Sequence, residues 1–163
     1  MILGMTIFTA LHVLLSLIGI LSGLVVLFGL LTAKPMNDWT LLFLATTLLT
    51  SVTGCLFSFR GFTPALGVGI LSMFILAVTI AARYGFHFAG GWRWIYVVGA
   101  VAALYFNSFV LVVQSFLKIP VLHMLAPNGS QPAFTLTQGI VLVFYLVTGF
   151  LAVKRFHPAA HLA

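Results

Sequence analysis

Five histidines, one cysteine and one acidic residue are all that this 163-residue sequence offers to metal, redox or acid–base chemistry. His12 is the histidine placed well inside an apolar run, where an imidazole can serve as an axial haem or transition-metal ligand. Its partner would be His123, with Met124, Met5 or Cys55 as softer candidates. The other reading has His12 hydrogen-bonded to Gln138 or Asn107. His87, in a loop, and His157 and His161, in the tail, read as solvated. No H-x-x-x-H or C-x-x-C spacing strengthens the metal reading. Asp38 alone cannot furnish a Ser-His-Asp triad, a carboxylate-bound metal pair or two-carboxylate glycoside hydrolysis. Cys55 alone excludes an intrachain disulfide and a two-thiol redox motif. With no Gly-rich phosphate loop either, enzymatic chemistry has little to stand on.

Hydroxyls and amides are more abundant, and they recur at helical spacing inside apolar runs. His12, Ser16, Gly19 and Gly23 share one face of the first run, the two glycines forming a GxxxG. In the second, Thr46, Thr50, Thr53 and Phe57 align, with Ser51, Cys55 and Ser58 beside them. Gly99, Ala103, Asn107 and Gln114 align in the fourth, and Gln138, Tyr145 and Gly149 in the fifth. Lipid offers such groups no partner, so these stripes turn inward. They either fasten helix to helix at about 0.6 kcal/mol each or line a shared site. His12, Thr50, Thr53, Asn107, Gln114 and Gln138 are the pocket candidates; Tyr105 joins His12, Gln114 and Gln138 if the ligand is haem or quinone.

The elements that must position these groups are membrane spans. The composition is 63% apolar and 5% charged, with a mean hydropathy of +1.26, against about 25% charged in a soluble domain. Uncharged runs cover about residues 7–32, 39–59, 65–82, 94–117 and 133–153, each near the roughly 20 residues that cross a bilayer. The expected fold is all-α, a polytopic five-span helical bundle forming one transmembrane domain over residues 1–163. Four spans would cross if the short Ala65–Ala82 run were re-entrant. The first run has no charged flank ahead of it and no cleavage-site pattern after it, and is expected to be retained.

Seven cations stand singly or in one pair, which excludes a phosphate-tracking stripe and nucleic-acid binding. With five spans, Lys34, Arg83, Arg93, Lys154 and Arg155 share one side while Arg60 and Lys118 share the other. The positive-inside rule then puts the N-terminus outside and the C-terminus in the cytoplasm. A four-span chain would instead place both termini inside. The segment holding Arg83, Trp92, Arg93 and Trp94 is basic and aromatic, suited to anchoring at the lipid interface or gripping anionic headgroups. Asn37 or Asp38 is expected to cap the second span. No inverted repeat is visible.

Several strings, Trp39-Thr40-Leu41-Leu42-Phe43-Leu44-Ala45-Thr46-Thr47, Phe62-Thr63-Pro64-Ala65, Trp92-Arg93-Trp94-Ile95-Tyr96, Tyr105-Phe106-Asn107 and Leu125-Ala126-Pro127 with Pro132 and Gln138, resemble an uncharacterised family of small multi-span bacterial inner-membrane proteins. The resemblance implies that location and supplies no activity. Relatives in that family carry a histidine where Leu66 stands here, which weighs against a metal site. The expected function is that of a non-enzymatic membrane protein with an outward-facing polar pocket for a small or lipid-like ligand. The first alternative is an accessory redox subunit holding haem or quinone. The second is a structural partner, either self-associating or part of a larger membrane complex, through the Gly19–Gly23 surface.

Overall fold

The structure, a computed structural model, describes residues 6–56, 64–129 and 131–157. Met5, Phe57, Ser58, Arg60 and His161, singled out above, lie outside the described residues. Helix α1 spans Ile7–Leu31 and is capped by Thr6, whose hydroxyl accepts from the Thr9 amide. It ends where Ala33 turns left-handed, the Lys34 amide closes back on the Gly29 carbonyl at 2.8 Å, and Pro35 bars continuation. Helix α2 spans Asn37–Leu56, with Asp38 in its first turn complementing the helix dipole. Helix α3, Pro64–Ile80, runs on into a π-helical turn at Ala81–Gly85. Helix α4 spans Trp92–Lys118, and α6 spans Pro132–Arg155. Between them Pro120–Leu125 forms a short helix, α5, where the sequence suggests only an irregular connection.

Five of these stretches are long and apolar enough to cross a bilayer, and the chain is a polytopic membrane protein. The third counts 20 residues over Leu66–Gly85 at a mean hydropathy of 2.0. It is therefore a full-length span like its neighbours, and the re-entrant alternative gives way. Lipid contact is written on the surface. On α1, Leu11, Leu14, Leu21, Leu24 and Phe28 recur at steps of three, four or seven residues and are all exposed. The interior instead holds Ser22, Thr40, Thr46, Thr47, Ser51, Ser72, Thr79 and Asn107, most of whose hydroxyls bond to carbonyls of their own helix.

Helices α1 to α4 pack in chain order into a ring, α1 on α2, α2 on α3, α3 on α4 and α4 back on α1. Helix α6 lies outside it, against α4 and α1, and α5 packs on α4. Glycines set the closest approaches: a Cβ at Gly23 would come within 2.6 Å of Leu104 and 2.9 Å of Phe43. At Gly19 it would stand 3.0 Å from both Asn107 and Thr47. The GxxxG face is thus consumed inside the chain, between α1, α2 and α4, and is not presented to a second copy.

At one end of the bundle the C-terminal turns of α3 and α6 meet the N-terminal turns of α2 and α4. Arg83, expected among lipid headgroups, is buried there instead. It donates to Asn37 Oδ1 at 2.6 Å and to the Tyr96 hydroxyl at 3.2 Å. Its guanidinium stands 5.4 Å from the ring centroids of Tyr84, Phe88 and Tyr96. The reason is periodicity, since Ser72, Leu76, Thr79 and Arg83 fall on one stripe of α3 and its π turn. Arg93 also has an internal task, donating to the Val153 and Phe156 carbonyls that end α6. Trp92 stacks on Phe86 with centroids 3.8 Å apart, and only Trp94, half exposed, faces outward as an interfacial anchor would. In the same loop His87 and Phe88 are both left-handed, an uncommon backbone for such residues. Packing of Phe88 on Tyr96 and Phe156 offsets it.

Candidate functional site

At the opposite end the ring opens into a cleft of about 620 Å³, within the roughly 300–1,000 Å³ of small-molecule sites. Every ring helix contributes. Helix α1 brings Thr9, His12 and Ser16; α2 brings Thr47, Thr50, Ser51 and Gly54; α3 brings Val68, Gly69 and Ser72. From α4 come Ala103, Asn107 and Gln114, with Lys118 at the rim. The N-terminal parts of α1 and α3 thus face the C-terminal halves of α2 and α4, as an up-down ring requires.

Most of these polar groups are already satisfied within the chain. Thr50 donates to the Thr46 carbonyl, Ser51 to that of Thr47, and Ser115 to that of Leu111. Asn107 and Ser16 form a reciprocal pair: the Ser16 hydroxyl donates to Asn107 Oδ1 at 2.9 Å, and Asn107 Nδ2 donates to the Ser16 carbonyl at 3.3 Å. His12 Nδ1 lies 2.7 Å from Thr53 Oγ1. The Leu49 and Thr50 carbonyls already compete for the single Thr53 proton, so the hydrogen of this bond belongs to His12 Nδ1.

Three groups are different. The Thr47 hydroxyl oxygen is buried without a partner. Ser72 is only 6% exposed yet lines the cleft with no hydrogen bond to any described residue. Gln114 lines it with its whole amide likewise uncommitted among the described residues. A buried hydroxyl or amide left this way costs about 1–3 kcal/mol unless something else bonds to it. The cleft is therefore a largely apolar cavity with a few polar groups in want of a partner.

His12, Thr50, Asn107 and Gln114 meet here, and Thr53 stands directly behind His12. Tyr105 and Gln138 do not. Two residues along a helix is about 200° of rotation, so Tyr105 leaves α4 on the side away from Asn107. Its ring packs against Tyr145 and Phe109 at the α4–α6 seam. Gln138 lies in that seam too, donating to the Phe109 carbonyl at 3.2 Å while its Oε1 is buried unpartnered. The set proposed for haem or quinone is thus split across the two faces of α4. His123 sits exposed on α5, and among the described residues no three His, Cys, Asp or Glu side chains converge.

Helix α3 is the wall that sequence reasoning missed, along with Thr47. A signal was present in the spacing of Gly69, Ser72, Leu76, Thr79 and Arg83, which is an inward stripe of the same kind as the others. Gly69 leaves room for Cys55, whose Sγ would lie 3.2 Å from a Cβ there. Compared with known proteins, the chain matches no family model, no curated protein and no solved structure.

Proposed function

We propose that this is a non-enzymatic membrane protein of the bacterial inner membrane whose four-helix ring holds a small or lipid-like ligand in the cleft. The observation that carries the reading is the conjunction of a cavity of about 620 Å³ with uncommitted polar groups from two separate walls, the buried Ser72 and the half-buried Gln114. Helix-to-helix fastening would have consumed those groups. The cleft faces the outside: Lys34, Arg83, Arg93, Lys154 and Arg155 belong to the other end, and the positive-inside rule makes that end cytoplasmic. Self-association, if it occurs, uses a face other than Gly19 and Gly23.

The test is mass spectrometry of small molecules released from the purified full chain. A bound species is expected in the wild type and in Gln138→Leu, and is expected to be lost in Gln114→Leu. Equal retention in both variants overturns the assignment of the cleft.

A further inference from the structure

We infer that the cleft selects a single-chain amphiphile whose head carries one negative charge, held between Lys118 and Gln114 with its chain running toward Asn107. This rests on the cleft being a ligand site and names the chemistry it takes. Lys118 is the one charged side chain among the described residues that line it. Asp38 begins α2 at the far end of the bundle, so no described carboxylate faces the cleft. A cationic ligand would meet an unpaired like charge and no counter-charge. An anionic head would meet the Lys118 ammonium and, one helical turn below, the uncommitted Gln114 amide. Hydrogen bonds to an ionised acceptor are about twice as strong as neutral ones.

Below the head the walls turn apolar, with Val13 and Leu17 of α1, Val68 of α3, and Phe106, Val110 and Leu111 of α4. Gln114 stands two turns above Asn107, about 10 Å at 1.5 Å per residue. That depth and a volume suited to a drug-sized body accommodate one alkyl chain and exclude a two-chain lipid. At the floor, Ser72 and the second Asn107 N–H supply donors enough to hold a water beneath the chain end. A single negative head charge is carried both by a free fatty acid, as a carboxylate, and by lysophosphatidylglycerol, as a phosphodiester, so the two are separated by experiment.

The full-length protein in nanodiscs of zwitterionic lipid is titrated with dodecanoate, dodecanol, dodecyltrimethylammonium and lysophosphatidylglycerol, followed by saturable binding. Dodecanoate or lysophosphatidylglycerol is expected to bind at least about tenfold more tightly than dodecanol, with no saturable binding of the ammonium. The tighter of the two anions identifies the source. Lys118→Gln should weaken the anion about two- to fivefold, an effect that fades with added salt because the rim charge is exposed. Gln114→Leu should weaken it about tenfold or more. If dodecanol binds as tightly as the anions and still loses affinity in Gln114→Leu, the cleft is a ligand site and the charge selectivity is wrong. If the ammonium binds best, the selectivity is likewise wrong. If nothing binds saturably and Gln114→Leu changes nothing, both the selectivity and the ligand site fall. Circular dichroism and elution volume, unchanged in Lys118→Gln, tie its effect to binding and not to folding.

Discussion

Replacing Gly99 by alanine should destabilise the bundle through one identifiable collision. A Cβ at Gly99 would run into the Thr79 hydroxyl of α3 and stand 3.2 Å from the Thr79 Cβ. Thr79 is fully buried, and its hydroxyl is fastened to the Ile75 carbonyl at 2.7 Å. It cannot swing away without giving up that bond. Alanine gains about 0.8–1 kcal/mol over glycine within a helix, while overpacking costs about 1–3 kcal/mol. The net expectation for Gly99→Ala is a loss of up to about 2 kcal/mol. Thr79→Ala alone removes a buried methyl and should cost about 1 kcal/mol. In the double variant the new methyl enters the space the threonine vacates. The pair should therefore cost close to nothing, the alanine gain offsetting the lost methyl, and not the roughly 1–3 kcal/mol of independent sites. The assay is reversible unfolding of the four proteins in one detergent, read by circular dichroism. Losses that add to within about 0.5 kcal/mol would refute the proposed contact between α3 and α4.

Arg93→Ala should cost about 1–2 kcal/mol by uncapping the last carbonyls of α6, and limited proteolysis should then cut first at that helix end; intact protection would contradict the capping role. Asn37→Leu should cost about 1–3 kcal/mol in thermal or denaturant unfolding, because it strips the buried Arg83 of its shortest bond. Arg83→Met, which removes the charge as well, should cost less than Asn37→Leu. For orientation, in a Cys55→Ala background, Asn128→Cys should react with an impermeant thiol reagent added to intact cells and Ala89→Cys should not. The reverse pattern would invert the topology.

The number of spans and their apolar register were legible because lipid demands an uninterrupted apolar run and permits polar atoms only on inward stripes. His12 with Ser16, and Asn107 with Gln114, were found by that rule. The same rule was blind to which inward face meets which. Asn107 and Tyr105 are both inward, but one looks into the ring and the other toward α6, and only packing tells a four-helix ring with an outrigger from a five-helix bundle. Gln138 was misplaced for that reason. Arg83 differs from its expected place because a cation near a span end suits headgroups and an inward stripe equally, and here the stripe carries it to Asn37. Helix α5 was missed because six residues bounded by proline carry too little periodicity to register.

Helix α6 gives the ring a property that its own four members lack. Three of the ring's joints are stitched by the chain itself, since consecutive helices cannot drift far apart. The fourth, between α1 and α4, has no covalent tie, and α6 is the helix that packs across both. It does so as a bolt, with Gly149 seated on Val101, Tyr145 joined to Ser108 at 2.8 Å, and its end clasped by Arg93. Slack in that bolt would let α1 and α4 part, and with them His12 and Ser16 from Asn107 and Gln114. The seam beside the cleft is thereby braced from outside, by a helix that lends no side chain to its lining.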